Sequence, residues 1–327
     1  MTDDVRVIPG TSGPAVSDVQ RRLGALGFTT APDEPGWYGD GTRTAIEAFQ
    51  HRRGLRVDGE CGPQTWAALV EAGWSLGDRL LYRRTPMLRG DDVAELQQRL
   101  SALGFDAGRV DGIFGDLTLA ALAEFQRNAG LPDDGIAGRS TITELRRFGS
   151  RHGTSELVSA VRDRELLRRA PRTLRGRRLA IGEEGGLGAA LAGLQRILVR
   201  QHADVIALHD PDESRQAAEA NAADAEVYLC LRLDPSTQQC TSSYYAGFRY
   251  TSAGGRRLAE LIQATVPTAL AISDGGAQGM SLPVLRETRM PAVICELGPP
   301  SMVVEHAPLL AQAIADALTA WVRSSWE

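Results

Sequence analysis

The 327-residue chain contains no lysine, so all 36 of its basic residues are arginines. A GC-rich genome accounts for that usage, and it excludes Schiff-base and lysine-nucleophile chemistry outright. Basic charge is also in deficit: 41 acidic residues leave a net charge of −5 at pH 7. That balance argues against nucleic acid as the main partner, since neutralising phosphate requires a basic surface. Cysteine is scarce. Cys61, Cys230, Cys240 and Cys295 show neither C-x-x-C pairing nor metal-ligand spacing. They are expected to be free thiols of a reducing compartment, packed as small hydrophobes. No apolar run approaches the roughly 18 residues a spanning helix needs, so no transmembrane segment is expected. The opening residues, MTDDVRVIPGTSG, lack a basic segment followed by an apolar one. The expected location is the cytoplasm.

With 43% hydrophobic and 24% charged residues, the chain can bury a core and has room for two or three domains. An internal duplication organises its first half. Val19-Gln20, Leu23 and Leu26-Gly27-Phe28 return as Leu96-Gln97, Leu100 and Leu103-Gly104-Phe105. Tyr38-Gly39-Asp40 and Phe49-Gln50 return as Phe114-Gly115-Asp116 and Phe125-Gln126. Asp58-Gly59, Gly62 and Thr65 return as Asp134-Gly135, Gly138 and Thr141. Each copy reads as three short helices: Val16, Val19, Leu23 and Leu26 form an amphipathic stripe, and Gly27 stops it. Asp58-Gly59 and Asp134-Gly135 are turn dipeptides in which glycine supplies positive φ.

Residues 149–178 carry nine arginines against Glu156, Asp163 and Glu165. Leu157, Val161 and Leu166-Leu167 suggest a short helix before Pro171, and the segment reads as a solvated helix and linker, the alternative being a docking patch for an acidic partner or membrane surface. From Arg178 onward the pattern alternates. Strands are expected over 179–181, 205–208, 226–233, 244–250 and 292–297, with helices over 187–199, 213–223, 255–265 and 308–322. Strands spaced by such helices predict a largely parallel sheet covered on both faces. The fold class is therefore multidomain: two small all-α three-helix modules (1–76 and 77–148), an arginine-rich linker (149–177), and an α/β domain (178–327).

The duplicated pattern resembles the type 1 peptidoglycan-binding module, which implies affinity for cell-wall glycan-peptide. The motif residues are turn and core residues, so the ligand-facing positions stay unassigned. In the second half, Glu213-x-Arg215 with Ala220-Asn221-x-Ala223-Asp224 resembles a helix of the type 3 N-acetylmuramoyl-L-alanine amidases. So does Leu282-Pro283-Val284-Leu285 followed by Met290-Pro291-Ala292-Val293-Ile294-Cys295-Glu296.

That resemblance implies a hydrolytic zinc held by His, Glu and His, with a second Glu as general base. Here Gly182-Glu183-Glu184-Gly185-Gly186 stands where the first histidine loop should be. Aligning the glycines puts Glu184 at the first ligand. Aligning backward from Leu208 puts it at the second, and needs no gap in the spacing. The strand that should end in the third ligand reads Cys230-Leu231-Arg232, and a guanidinium cannot ligate a metal. At about 5 Å and an effective dielectric of about 20, it would repel a dication by roughly 6–7 kcal/mol. Glu296 matches the general base. Glu184, Arg232 and Glu296 are thus read as vestigial, with no zinc or other cofactor and no catalysis expected, and with Arg232 pairing with Glu296. His51, His152, His202, His209 and His306 match no motif position, although His209 beside Asp210, Asp212 and Glu213 could improvise a metal site.

Two wall-binding modules ahead of a degenerate amidase domain resemble the CwlM-type cell-wall regulators. That resemblance implies a cytoplasmic protein controlling peptidoglycan-precursor synthesis. Its implied partners are peptidoglycan or its precursors, and the UDP-N-acetylglucosamine enolpyruvyl transferase. The threonine-bearing tail on which phosphorylation acts in that family has no counterpart in the closing residues Trp321 to Glu327, so kinase control is not carried over. The alternatives are an active amidase cleaving the muramoyl–L-alanine bond, and a simple binding module for wall fragments or precursors.

Overall fold

A computed structural model describes residues 6–149, 158–247 and 250–326. Glu156, Leu157 and His152 therefore lie outside the described residues. The chain forms two compact units, Met1–Arg162 with Phe248–Tyr250, and Asp163–Gly247 with Thr251–Glu327.

The first unit holds the duplicated modules. In module 1, α1 (Pro14–Ala25), α2 (Asp40–Arg53) and α3 (Pro63–Ala72) enclose Val16, Val19, Leu23, Ile46, Phe49 and Leu69. In module 2, α4 (Asp91–Ala102), α5 (Asp116–Asn128) and α6 (Arg139–Gly149) enclose Val93, Leu96, Leu100, Leu122, Phe125 and Leu145. A bidentate pair joins them, with Arg53 Nη1 and Nη2 at 2.9 and 2.7 Å from the Asp91 carboxylate.

The repeated glutamines explain why the motif recurs. Gln50 is 1% exposed, and a buried amide must satisfy both its ends. Its Nε2 donates to Asp58 Oδ1 at 2.7 Å, the Glu60 carbonyl at 3.0 Å and Thr65 Oγ1 at 3.0 Å. Its Oε1 accepts from the backbone N–H groups of Asp58 at 3.1 Å and Gly59 at 3.0 Å. Gln126 does the same for the Asp134-Gly135 turn. Gln20 and Gln97 tie the preceding loops in the same manner, to Gly36, Trp37 and Thr42 and to Asp111, Gly112, Ile113 and Thr118. The turn itself needs glycine, since Gly59 and Gly135 sit at φ 68° and 69°.

The second unit begins in α7 (Val158–Arg169), the helix expected before Pro171. It continues with β1 (Arg178–Glu183), α8 (Gly188–Arg200), β2 (Asp204–Leu208), α9 (Glu213–Ala222), β3 (Val227–Leu233) and β4 (Gln239–Tyr245). After these come α10 (Ala253–Leu270), β5 (Ser273–Met280), α11 (Pro283–Glu287), β6 (Ala292–Leu297), α12 (Pro300–Glu305) and α13 (Ala307–Val322). The six strands order as β2-β1-β3-β6-β4-β5. Every neighbouring pair is parallel except β4 with β6. The sheet is mostly parallel, as the alternation predicts.

Period-2 alternation divides β3 between two layers. Val227, Leu229 and Leu231 join the core formed with α8, α10 and α13, where Leu191, Leu194, Ile262, Leu310 and Ile314 are buried. Tyr228, Cys230 and Arg232 face the opposite layer, where Tyr228 Oη donates to Gln216 of α9 at 2.7 Å. Gly182 makes that approach possible, because a Cβ there would collide with the Gln216 amide oxygen.

Five elements differ from the sequence reading, among them the short helices α11 and α12, which it does not anticipate. The strand expected over 244–250 lies earlier, as β4, whose Thr and Ser residues hide the alternation. β5 went unpredicted because Gly275, Gly276 and Gly279 break any apolar pattern in it. The helix expected over 255–265 runs on through Pro267 to Leu270, its buried face outweighing the proline's lost hydrogen bond.

The buried amides yield a stability prediction. Gln50→Leu strands the Asp58 and Gly59 N–H groups and is expected to lower module 1 stability by about 2–4 kcal/mol, read as a fall in denaturation midpoint. A loss below about 0.5 kcal/mol, the range of ordinary surface changes, would contradict the role assigned to the amide.

Candidate functional site

The carboxyl ends of β1, β3 and β6 meet at one edge of the sheet, where open α/β folds generally place their sites. Register puts Arg232 of β3 directly beside Glu296 of β6, and Glu183 of β1 beside Leu231. Glu184 follows β1. Glu213 opens α9, whose first turn is capped by the Asp212 side chain accepting from the N–H groups of Ser214 and Arg215 at 2.9 and 3.3 Å. Four separate segments thus deliver one guanidinium and three carboxylates to a single place.

Arg232 bonds all three. Its Nε donates to Glu184 Oε2 at 2.7 Å and its Nη2 to the other oxygen of the same carboxylate, a bidentate fork. Nη2 also donates to Glu213 Oε1 at 2.5 Å, and Nη1 to Glu296 Oε1 at 3.2 Å. The Arg232 side chain is only 14% exposed. Burial alone would lower the pKa of the guanidinium, but the hydrogen bonds and charges of Glu184 and Glu213 outweigh it and hold the pKa above its ordinary value. The cation is permanent here. The adjacent Cys230 thiol, buried and facing the Glu184 carboxylate, is pushed up to about 12. It stays protonated and cannot act as a thiolate nucleophile.

The two amidase-like segments are brought together on this layer. Asn221 Nδ2 donates to the Glu287 carbonyl at 2.8 Å, and its Oδ1 accepts from the Arg289 N–H at 2.8 Å. The Val284 N–H approaches Glu213 Oε2 at 3.5 Å. The loop carrying Leu282 to Met290 is therefore pinned to α9 at both ends of that helix.

Glu183, unlike its neighbour, turns to the chain itself. Its Oε2 accepts from the N–H groups of Gly185 at 2.9 Å and Leu187 at 3.1 Å, and its Oε1 faces His209 Nδ1 at 3.2 Å. Burial works against its charge, but the His209 bond and the two backbone donors hold the carboxyl below its usual pKa. The improvised metal site at His209 does not form from the residues expected. His209 goes to Glu183, Asp212 caps α9, Glu213 goes to Arg232, and Asp210 Oδ2 takes Arg215 Nη1 at 3.4 Å.

A hydrolytic zinc requires about three donors with free lone pairs and one open position for water. The arrangement around Arg232 offers the reverse, with carboxylate oxygens aimed at N–H donors and a fixed positive charge where the amidase resemblance implies a dication. Among the described residues, no three His, Cys, Asp or Glu side chains are grouped to hold a metal ion. These residues do not fit the zinc that the amidase resemblance implies. Sequence reasoning brought Glu184, Arg232 and Glu296 forward and missed Glu213 as the third carboxylate. The signal available for it was its place just after a capping aspartate, at the start of a helix bordering the sheet's carboxyl edge.

Removing the cation is expected to be costly. Arg232→Met keeps the side-chain length and leaves three carboxylates without their counter-charge, a loss of about 3–5 kcal/mol in the denaturant unfolding of this domain. A loss below about 1 kcal/mol, the level of an exposed ion pair, would contradict the account of the cluster.

Comparison with known proteins follows the same division. The peptidoglycan binding domain family matches residues 12–69 and 89–145. The N-acetylmuramoyl-L-alanine amidase family matches residues 188–319. Over 328 aligned residues the chain is 33% identical to N-acetylmuramoyl-L-alanine amidase CwlM of Mycobacterium tuberculosis, covering 88% of this chain and 80% of that protein. It is 33% identical over 158 residues to N-acetylmuramoyl-L-alanine amidase CwlL of Bacillus licheniformis, covering 42% of this chain and 44% of that protein. Among solved structures, the catalytic domain of the amidase CwlV from Bacillus (Paenibacillus) polymyxa var. colistinus overlays with a TM-score of 0.38 and 17% identity, over 45% of this chain and 99% of that one. The SleB N-terminal domain overlays with a TM-score of 0.22 and 41% identity, over 23% of this chain and 99% of that one. Among the described residues, no helix is long and apolar enough to cross a membrane. With two peptidoglycan-binding modules ahead of an amidase-type α/β domain, and one third of its residues shared with CwlM over most of both proteins, the chain belongs to the CwlM family of N-acetylmuramoyl-L-alanine amidase-like proteins.

Proposed function

We propose that the chain is a peptidoglycan-associated protein that acts in control of cell-wall synthesis by binding, and that its amidase-type domain does not hydrolyse. One observation carries this reading: Arg232, at the position that the amidase resemblance gives to a metal ligand, is held by Glu184, Glu213 and Glu296. A general base is useful only against an activated nucleophile, and Glu296 has its Oε1 against a guanidinium instead of a metal-bound water. No zinc is bound in this reading. The modules tether the chain to wall polymer or its precursors, and the α/β domain offers a protein surface in place of a reaction centre.

Resemblance to the CwlM-type regulators supplies the rest of the reading: a cytoplasmic location, and the UDP-N-acetylglucosamine enolpyruvyl transferase as partner. The four buried free thiols, Cys61, Cys230, Cys240 and Cys295, are consistent with a reducing compartment. The second reading, hydrolysis of the muramoyl–L-alanine bond, is favoured by the amidase names that the relatives carry.

Metal content and turnover separate the two. Full-length protein purified after incubation with zinc is expected to retain well under one equivalent of metal, and to release no peptide from muropeptide. It is also expected to capture the enolpyruvyl transferase from purified mixtures. One bound zinc per chain together with cleavage at the muramoyl–L-alanine bond would overturn the proposal. Capture failing while zinc and cleavage are both absent would leave a plain wall-binding protein.

A further inference from the structure

The stretch that leads into the α/β domain concentrates positive charge in an otherwise acidic chain. Between Asp163 and Arg178 seven arginines stand against two acids, in a protein whose net charge is −5. Three side chains fix the inner side of this stretch. Leu167 of α7 packs against the core of the domain, and Leu174 is buried in that core. Arg177 is 4% exposed, and its Nη1 donates to the Pro171 carbonyl at 3.1 Å, closing the turn that follows the helix.

The outer side follows from those anchors. At about 3.6 residues per turn, Leu166, Arg168 and Arg169 lie roughly 100° or more around α7 from the inward Leu167. Leu166 is 61% exposed, and the side chains of Arg168 and Arg169 are 62% and 78% exposed. Beyond the helix, Pro171, Arg172 and Arg175 are exposed as well. Arg168 Nη1 and Arg169 Nε share the one carboxylate of Glu165, at 3.6 and 2.6 Å. Ion pairs this exposed are weak, so both guanidiniums can turn to another anion at little cost. The outer side thus offers four exposed guanidiniums, with one carboxylate divided between two of them.

Solubility alone is served by interspersed charges of both signs, whereas a one-signed patch sets up a field that draws an oppositely charged surface. That field acts over about 8–10 Å at physiological salt, so acidic residues farther away do not cancel it. Guanidiniums fork onto phosphate oxygens in two-pronged pairs, and their apolar stems can lie along hydrocarbon. Leu166 and Pro171 set apolar side chains among them, which suits the boundary between headgroups and acyl chains. The four arginines share no single periodicity, two being on a helix and two in the turn after it. A continuous anionic sheet neutralises such a set at once, whereas an acidic protein would need carboxylates in matching register.

We infer that the outer side of α7 and its following turn docks on an anionic phospholipid surface, with Arg168, Arg169, Arg172 and Arg175 taking the phosphates and Leu166 entering the headgroup layer. The contact is peripheral and reversible. It goes beyond the proposed function and stands apart from it, since it needs neither hydrolysis nor its loss. Each arginine near such a surface strengthens binding by about fivefold, so removing two should weaken it at least tenfold.

Co-sedimentation of the full chain with vesicles tests it, using phosphatidylcholine alone and phosphatidylcholine mixed with phosphatidylglycerol. The unaltered chain is expected to bind the mixed vesicles and not the neutral ones. Arg172→Gln with Arg175→Gln, and separately Arg168→Gln with Arg169→Gln, should each weaken binding at least tenfold while thermal unfolding stays unchanged. Arg21→Gln with Arg127→Gln removes the same charge from exposed positions of the two modules and should bind as the unaltered chain does. Equal losses in all three double variants would show an effect of net charge and overturn the site. Equal binding to both kinds of vesicle, or to neither, overturns the lipid assignment. Binding to soluble poly-glutamate without binding to mixed vesicles overturns it too, in favour of an acidic protein partner.

Discussion

Three carboxylates converging at the carboxyl edge of a parallel sheet repel one another, and they stay together only around a positive charge. In a metalloenzyme the charge is a dication with an open coordination position. Here it is the guanidinium of Arg232, which satisfies Glu184 through a two-pronged fork and reaches Glu213 and Glu296 through two further N–H groups. The two solutions are mutually exclusive on simple electrostatics, because a fixed cation a few ångströms from a dication repels it by several kcal/mol even at a protein-like dielectric of about 20. They also differ in what they do to water. A metal acidifies it, whereas a guanidinium whose donors are already engaged does not.

The cluster depends on the sheet around it. Strand register sets Arg232 beside Glu296, the Asp212 cap orients the first turn of α9, and Gly182 lets Gln216 lie against β1. Asn221 ties the Leu282 to Met290 loop to the same helix. The motif residues shared with amidases therefore have a structural role independent of catalysis. In the peptidoglycan-binding modules, likewise, the recurring glutamines are buried and hold turns closed.

Much of this was legible in the sequence. The duplication, the helix stripes and the strand–helix alternation are periodic signals, and Arg232 and Glu296 were conspicuous because a family motif surrounds them. What escaped was either aperiodic or tertiary. β5, rich in glycine, and β4, rich in serine and threonine, have no apolar alternation to read. Glu213 looked like one of several charges near His209, and only the packing of α9 on the sheet shows that it completes the cluster. Glu183 and Glu184 are adjacent in sequence yet serve different ends, one accepting from the loop N–H groups of Gly185 and Leu187 and the other holding Arg232. Only the fold separates them.

Arg232 is locked to the carboxylates of Glu184, Glu213 and Glu296. Nitrogen-15 NMR of the arginine side chains reads this directly, with the Arg232 Nε–H resonance assigned by its loss in Arg232→Lys. The account predicts a slowly exchanging Nε–H signal that equimolar zinc leaves unmoved. A signal in fast exchange with water, or one shifted or broadened by zinc, would contradict it.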